Sequence, residues 1–148
     1  MGTGLVVIAV AVVAALGLGL HRAASDGRFR GTRAVRGAAP TSEPTVASVL
    51  AGTAYDGQLG ERATLLQFSS AFCAPCRATR RTLEDVARIV PGVTHLEVDA
   101  EHHLDLVRRL GILRTPTTLV LDPDGREVTR ASGAPTKQAV IASLAPLA

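Results

Sequence analysis

The chain has 148 residues, 16 basic and 13 acidic side chains and a formal net charge of +3, room for one domain and an extra segment. Cys73 and Cys76 are its only cysteines, too few for a disulfide scaffold or for a structural zinc site with its four protein ligands. Residues 1–45 hold Arg22, Arg28, Arg30, Arg33 and Arg36 against Asp26 and Glu43, while residues 46–148 balance eleven basic with eleven acidic side chains. The basic excess is therefore local and gives no argument for a nucleic-acid partner.

Residues 2–20 carry no charge. As a helix rising ~1.5 Å per residue they would reach ~28 Å, close to the hydrocarbon thickness of a bilayer. A helix apolar all round needs covering on every side, which disfavours a core helix. A cleaved signal peptide would carry a basic residue ahead of the apolar run and a small-residue site after it; neither is evident. Residues 2–20 therefore read as a retained transmembrane anchor. Residues 21–45, rich in Arg, Gly, Ala, Ser and Thr with Pro40 and Pro44, read as a basic flexible linker. All five arginines follow the span within sixteen residues. The positive-inside rule then places the domain of residues 46–148 in the cytoplasm on a single-pass anchor, with an outward-facing domain as the alternative.

Val46, Val49 and Leu50 are compatible with either a short strand or one helical turn. Thr64–Phe68 is a short apolar run of the buried-strand type. Ala74–Val90 is predicted as a helix with Thr79, Leu83, Val86, Ala87 and Val90 on its inner face, stopped by Pro91-Gly92. A strand over Val93–Val98 follows. Next comes a short helix over Glu101–Leu110 with Leu104, Val107 and Leu110 inward. Thr117–Leu121 and Arg126–Ala131 form a hairpin around Asp122-Pro123-Asp124-Gly125. Thr136–Ala145 closes the chain as a helix with Val140, Ile141 and Leu144 inward. The order β-α-β-α-β-β-α predicts an α/β fold, a mixed sheet flanked by helices.

Phe72-Cys73-Ala74-Pro75-Cys76 falls where strand pattern gives way to helix pattern. Cys73 is placed near the helix N-cap, where free N–H groups and the helix dipole favour a thiolate. Cys76 lies one turn on, positioned to resolve a mixed disulfide. Pro75 is tolerated in the first turn, because its missing N–H would have had no helical partner there. Two alternatives stay open: the same cysteines as ligands of a copper or thiol carrier, and a redox-inactive docking domain. His102 and His103 stand at a helix start and add no ligand near the cysteines in sequence.

On these residues, together with Val98-Asp99 at a strand end, Arg114-Thr115-Pro116-Thr117 and Gly133, residues 46–148 resemble the thioredoxin superfamily, and within it the membrane-anchored thioredoxin-like or TlpA-like disulfide reductases. The resemblance implies a thiol–disulfide oxidoreductase with Cys73 attacking and Cys76 resolving, no cofactor and no metal. Its partners would be a protein or small-molecule disulfide, an upstream thiol reductant and the membrane. It also implies a cis bond before Pro116, with Thr115 against Cys73. Three positions depart from the family pattern. Phe72 replaces a tryptophan, leaving an aromatic cover. Gln67 takes the place of a buried aspartate, and His95 that of its lysine companion. The expectation is that His95, hydrogen-bonded to Gln67, takes over proton transfer.

Overall fold

The computed structural model describes residues 2–31 and 47–147; within its first helix the side chains of residues 2, 3, 5, 23 and 24 fall outside that description. The elements are helix α1 (Gly2–Ser25), strand β1 (Phe29–Gly31), β2 (Ala63–Ser69), α2 (Ala74–Ile89), β3 (Val93–Asp99), α3 (Leu104–Arg109), β4 (Thr117–Leu121), β5 (Glu127–Ser132) and α4 (Lys137–Ser143), with a final 3-10 turn at Ala145–Leu147. From β2 onward the order is the expected one.

The five strands lie in the order β1-β5-β4-β2-β3. Strands β2 and β3 are parallel, which requires a crossover, and α2 supplies it. The pairs β2–β4, β4–β5 and β1–β5 are antiparallel. Every residue of β2 is buried, as expected for a strand covered on both faces. Its alternating side chains feed two cores. Leu66 and Phe68 pack with Leu50, Val98, Leu106 and Leu119 on the α3 face. Leu65 packs with Leu83, Val86, Val120 and Val140 on the face covered by α2 and α4.

Residues 21–31 correct the linker reading. Helix α1 continues to Ser25, and Phe29–Gly31 joins the sheet edge opposite Ala131, Arg130 and Thr129. The turn between them relies on Gly27 at φ 70, whose N–H donates to the Ser132 carbonyl at 2.8 Å. The remainder of the proposed linker, from residue 32, lies outside the described residues, as does Val46. Val49 and Leu50 stand in turns, neither strand nor helix. Two inward assignments also fail. Leu104 is 50% exposed and Ile141 41% exposed, because α3 starts at Leu104 and turns Leu106 inward, while α4 buries Val140.

Among the described residues no helix is long and apolar enough to cross a membrane.

Candidate active site

Strand β2 ends at Ser69, and a short turn through Ala71 and Phe72 leads to Cys73, the N-cap of α2. The Cys73 sulfur takes the place usually held by a Ser or Asp oxygen: it accepts the Cys76 backbone N–H at 3.2 Å. Ala74 and Pro75 form the exposed first turn. Cys73 and Cys76 are joined in a disulfide with their Cα atoms 5.2 Å apart. The two sulfur-bearing residues are unequally accessible. Cys76 is 2% exposed, whereas Cys73 is only partly buried.

Beneath Cys76 lies Gln67, itself fully buried. Its Nε2 donates to the Cys76 carbonyl at 3.0 Å and to the Ser69 hydroxyl at 2.7 Å. That orientation turns Oε1 towards Nε2 of His95, 3.1 Å away. An amide oxygen only accepts, so His95 carries its proton on Nε2, leaving the lone pair on Nδ1. Burial pushes the His95 pKa down, against the opposing pull of Glu84 and Glu97. The imidazole is therefore neutral near pH 7 and able to take up a proton.

A cavity of about 350 Å³ opens beside the disulfide, lined by both cysteines together with Tyr55, Ser70, Arg77, Arg80, Glu97 and Asp99 among others. Arg80 grips Glu97 in a two-point contact at 2.6 and 2.8 Å. Asp99 is held below the usual carboxylate range, chiefly by the hydrogen bond from His102 and then by the Glu101 N–H. Burial raises the Tyr55 phenol above its ordinary value, with the nearby Asp99 and Glu97 charges adding to it.

The Thr115–Pro116 bond is cis, as the resemblance implies. The Pro116 carbonyl accepts the Gly133 N–H at 2.8 Å. The Thr115 hydroxyl pairs with that of Ser70 at 3.1 Å, and Ser70 lines the cavity beside the disulfide. Phe72 overturns its expectation as an aromatic cover. It is fully exposed, because the turn before α2 directs it to solvent. Sequence reasoning passed over Tyr55, Ser70 and Glu97, and marked Asp99 only as a strand end, not as a residue of the site. Strand period supplied a signal for two of them: Glu97 and Asp99 stand two and four residues after His95 in β3 and share its face. Among the described residues no group of three His, Cys, Asp or Glu side chains is placed to hold a metal ion.

The thioredoxin family model matches residues 46–146. Thioredoxin of Chlamydia trachomatis is 34% identical over 77 residues, covering 52% of this chain and 74% of that protein. Thioredoxin of Alicyclobacillus acidocaldarius is 31% identical over 87 residues, covering 58% and 82%. Among solved structures, Fasciola hepatica thioredoxin superposes with a TM-score of 0.53 at 25% identity, over 60% of this chain and 84% of that one. A mutant thioredoxin from Halobacterium salinarum gives 0.55 at 20% identity, over 59% and 75%. With the paired cysteines at the start of α2, the cis bond before Pro116 and these matches together, the chain belongs to the thioredoxin family of thiol–disulfide oxidoreductases.

Proposed function

We propose that this chain is a disulfide reductase whose redox domain, residues 46–148, is tethered by α1 to a membrane. The Cys73 thiolate attacks one sulfur of a substrate disulfide, and the other sulfur leaves and takes a proton. Cys76, once deprotonated, attacks the Cys73 sulfur. The second substrate sulfur then leaves and is protonated. Two electrons have passed to the substrate, and Cys73 and Cys76 end as a disulfide. An upstream dithiol reductant reverses that change.

The observation that carries these roles is the unequal exposure of the pair, with Cys73 reachable at the N-cap of α2 and Cys76 covered. The helix end also lowers the thiol pKa of the residue that caps it. His95, hydrogen-bonded to Gln67, serves in this reading as the group that takes over proton transfer at Cys76. Gln67 cannot titrate and instead holds the ring and the Cys76 carbonyl in place. Ser70 and Thr115 border the place where substrate approaches.

Support for the anchor comes from the uncharged run of residues 2–20 and the 24-residue length of α1, about 36 Å at 1.5 Å per residue. Its described apolar side chains stand in the open, Val6 at 60% and Leu20 at 69% exposed, an extent that calls for a lipid or protein cover. The arginines that follow favour a domain on the cytoplasmic side, where the thiol pool drives the pair towards reduction.

Reduction of insulin by the full chain in detergent tests the cysteine roles. Cys73→Ser should abolish turnover. Cys76→Ser should accumulate a mixed disulfide on Cys73 that can be isolated without added reductant. A trapped substrate on Cys76 of the Cys73→Ser protein, and none on Cys73, would reverse the assignment.

A further inference from the structure

A second cavity, about 700 Å³, opens on the α3 face of the sheet, where the β1–β5 edge meets the end of α3 and Ser25 at the end of α1. Six arginines line it: Arg28, Arg30, Arg108, Arg109, Arg114 and Arg130. They come from four separate stretches of chain, so the concentration of charge is a product of folding.

Few carboxylates answer them. Glu127 holds Arg130 through both oxygens, and the Leu110 carbonyl accepts a further bond from that arginine at 3.0 Å. Asp26 holds Arg114, which also donates to the Ser132 carbonyl at 2.8 Å. Arg109 donates to a neutral acceptor, the Val49 carbonyl, at 2.8 Å. Arg108 has Asp105 only at 3.9 Å. Among the described residues Arg28 and Arg30 have no ion-pair partner. Moreover, Arg30 lies directly opposite Arg130 in the β1–β5 ladder, and like charges at such a position destabilise a sheet. An arrangement of this kind is relieved by an anion seated among the guanidiniums. Their planar forks match phosphate oxygens two at a time.

We propose that this cleft is a binding site for a phosphate-bearing group. The phosphate can reach it as the headgroup of an anionic phospholipid or on a soluble compound. The lipid source rests on the anchor reading above, since α1 ends at Ser25 on the wall of the cleft. The soluble source does not. In the lipid case the domain is clamped against the surface from which α1 emerges, through arginines that include four outside the juxtamembrane strip.

The test is calorimetric titration of the full chain in micelles of a neutral detergent. The probes are inorganic phosphate, dihexanoyl phosphatidylglycerol and, as a zwitterionic control, dihexanoyl phosphatidylcholine. Saturable binding of phosphate, of phosphatidylglycerol or of both is expected, with phosphatidylcholine at least tenfold weaker than whichever binds. Arg30→Gln combined with Arg108→Gln leaves the ion pairs of Arg114 and Arg130 in place and should weaken that binding at least tenfold. Unchanged insulin reduction shows that the variant is folded. Binding of phosphatidylglycerol alone assigns a lipid source, and binding of phosphate alone a soluble one; either upholds the cleft. No saturable binding of either probe, equal binding of phosphatidylcholine, or affinity unaltered by the double substitution overturns it. A chain that binds phosphate yet fails to enter vesicles keeps the cleft and loses the anchor.

Discussion

Gln67 is where the chemistry of this site departs from a titrating buried acid. It spends its amide on three partners, the Cys76 carbonyl, the Ser69 hydroxyl and the His95 ring. Gln67→Leu would leave those groups without their partner in a covered layer. The cost of an unsatisfied buried polar group is about 1–3 kcal/mol, and equilibrium urea unfolding of the oxidised protein should register a loss of that order. A variant as stable as the parent would mean that water replaces the amide without penalty. His95 makes a pH prediction. Burial lowers its folded-state pKa, so below about pH 6.5 the unfolded chain binds the extra proton more readily. The histidine's contribution to stability is thus complete above that value and is lost as pH falls through the folded-state pKa. Stability of His95→Gln should fall less steeply than that of the parent between pH 7 and pH 5. Parallel curves would show that the ring is not buried in solution. The same substitution should slow insulin reduction at pH 7 if His95 carries proton transfer at Cys76, whereas a ring that only fills space would leave the rate intact.

At the scale of elements, β1 is the feature that local pattern did not reveal. Phe-Arg-Gly is too short to show a strand period, and its identity as a strand comes from β5, which supplies the hydrogen-bonding partner. The attachment depends on Gly27. A Cβ there would stand 2.2 Å from the Ala134 carbonyl oxygen, on a backbone already at φ +70. Gly27→Ala should therefore strain or release β1, at a cost of about 1–3 kcal/mol for the backbone conformation alone. Hydrogen exchange at Phe29–Gly31 should accelerate, with β2 protection preserved; equal protection in parent and variant would show that the edge absorbs the methyl. Elements with a continuous apolar face fared better. The inner face of α2 reads directly from its spacing, with Thr79, Leu83 and Val86 buried as expected. The shorter α3 and α4 give too few turns to set the phase, and Leu104 and Ile141 were placed on the wrong side for that reason.

For the whole molecule the open arrangement of α1 and the position of its following arginines make topology the decisive measurement. With the redox domain in the cytoplasm, a membrane-impermeant thiol reagent applied to intact, reduced cells should leave Cys73 unlabelled until the membrane is opened. Labelling of intact cells would place the domain outside and require electrons to cross the membrane to reach it. Composition, the Cys73–Cys76 spacing, the uncharged run of residues 2–20 and the order of elements from β2 onward were legible in the chain itself, because each is set by neighbours within a few turns of helix or one strand. Which side chains meet was not, apart from the His95–Gln67 pair that the family resemblance implied. Asp26 finds Arg114 across 88 positions, and six arginines from four stretches line one cleft. Such encounters depend on strand order and register. These are fixed only when the two cores on either side of β2 close, and no local period encodes them.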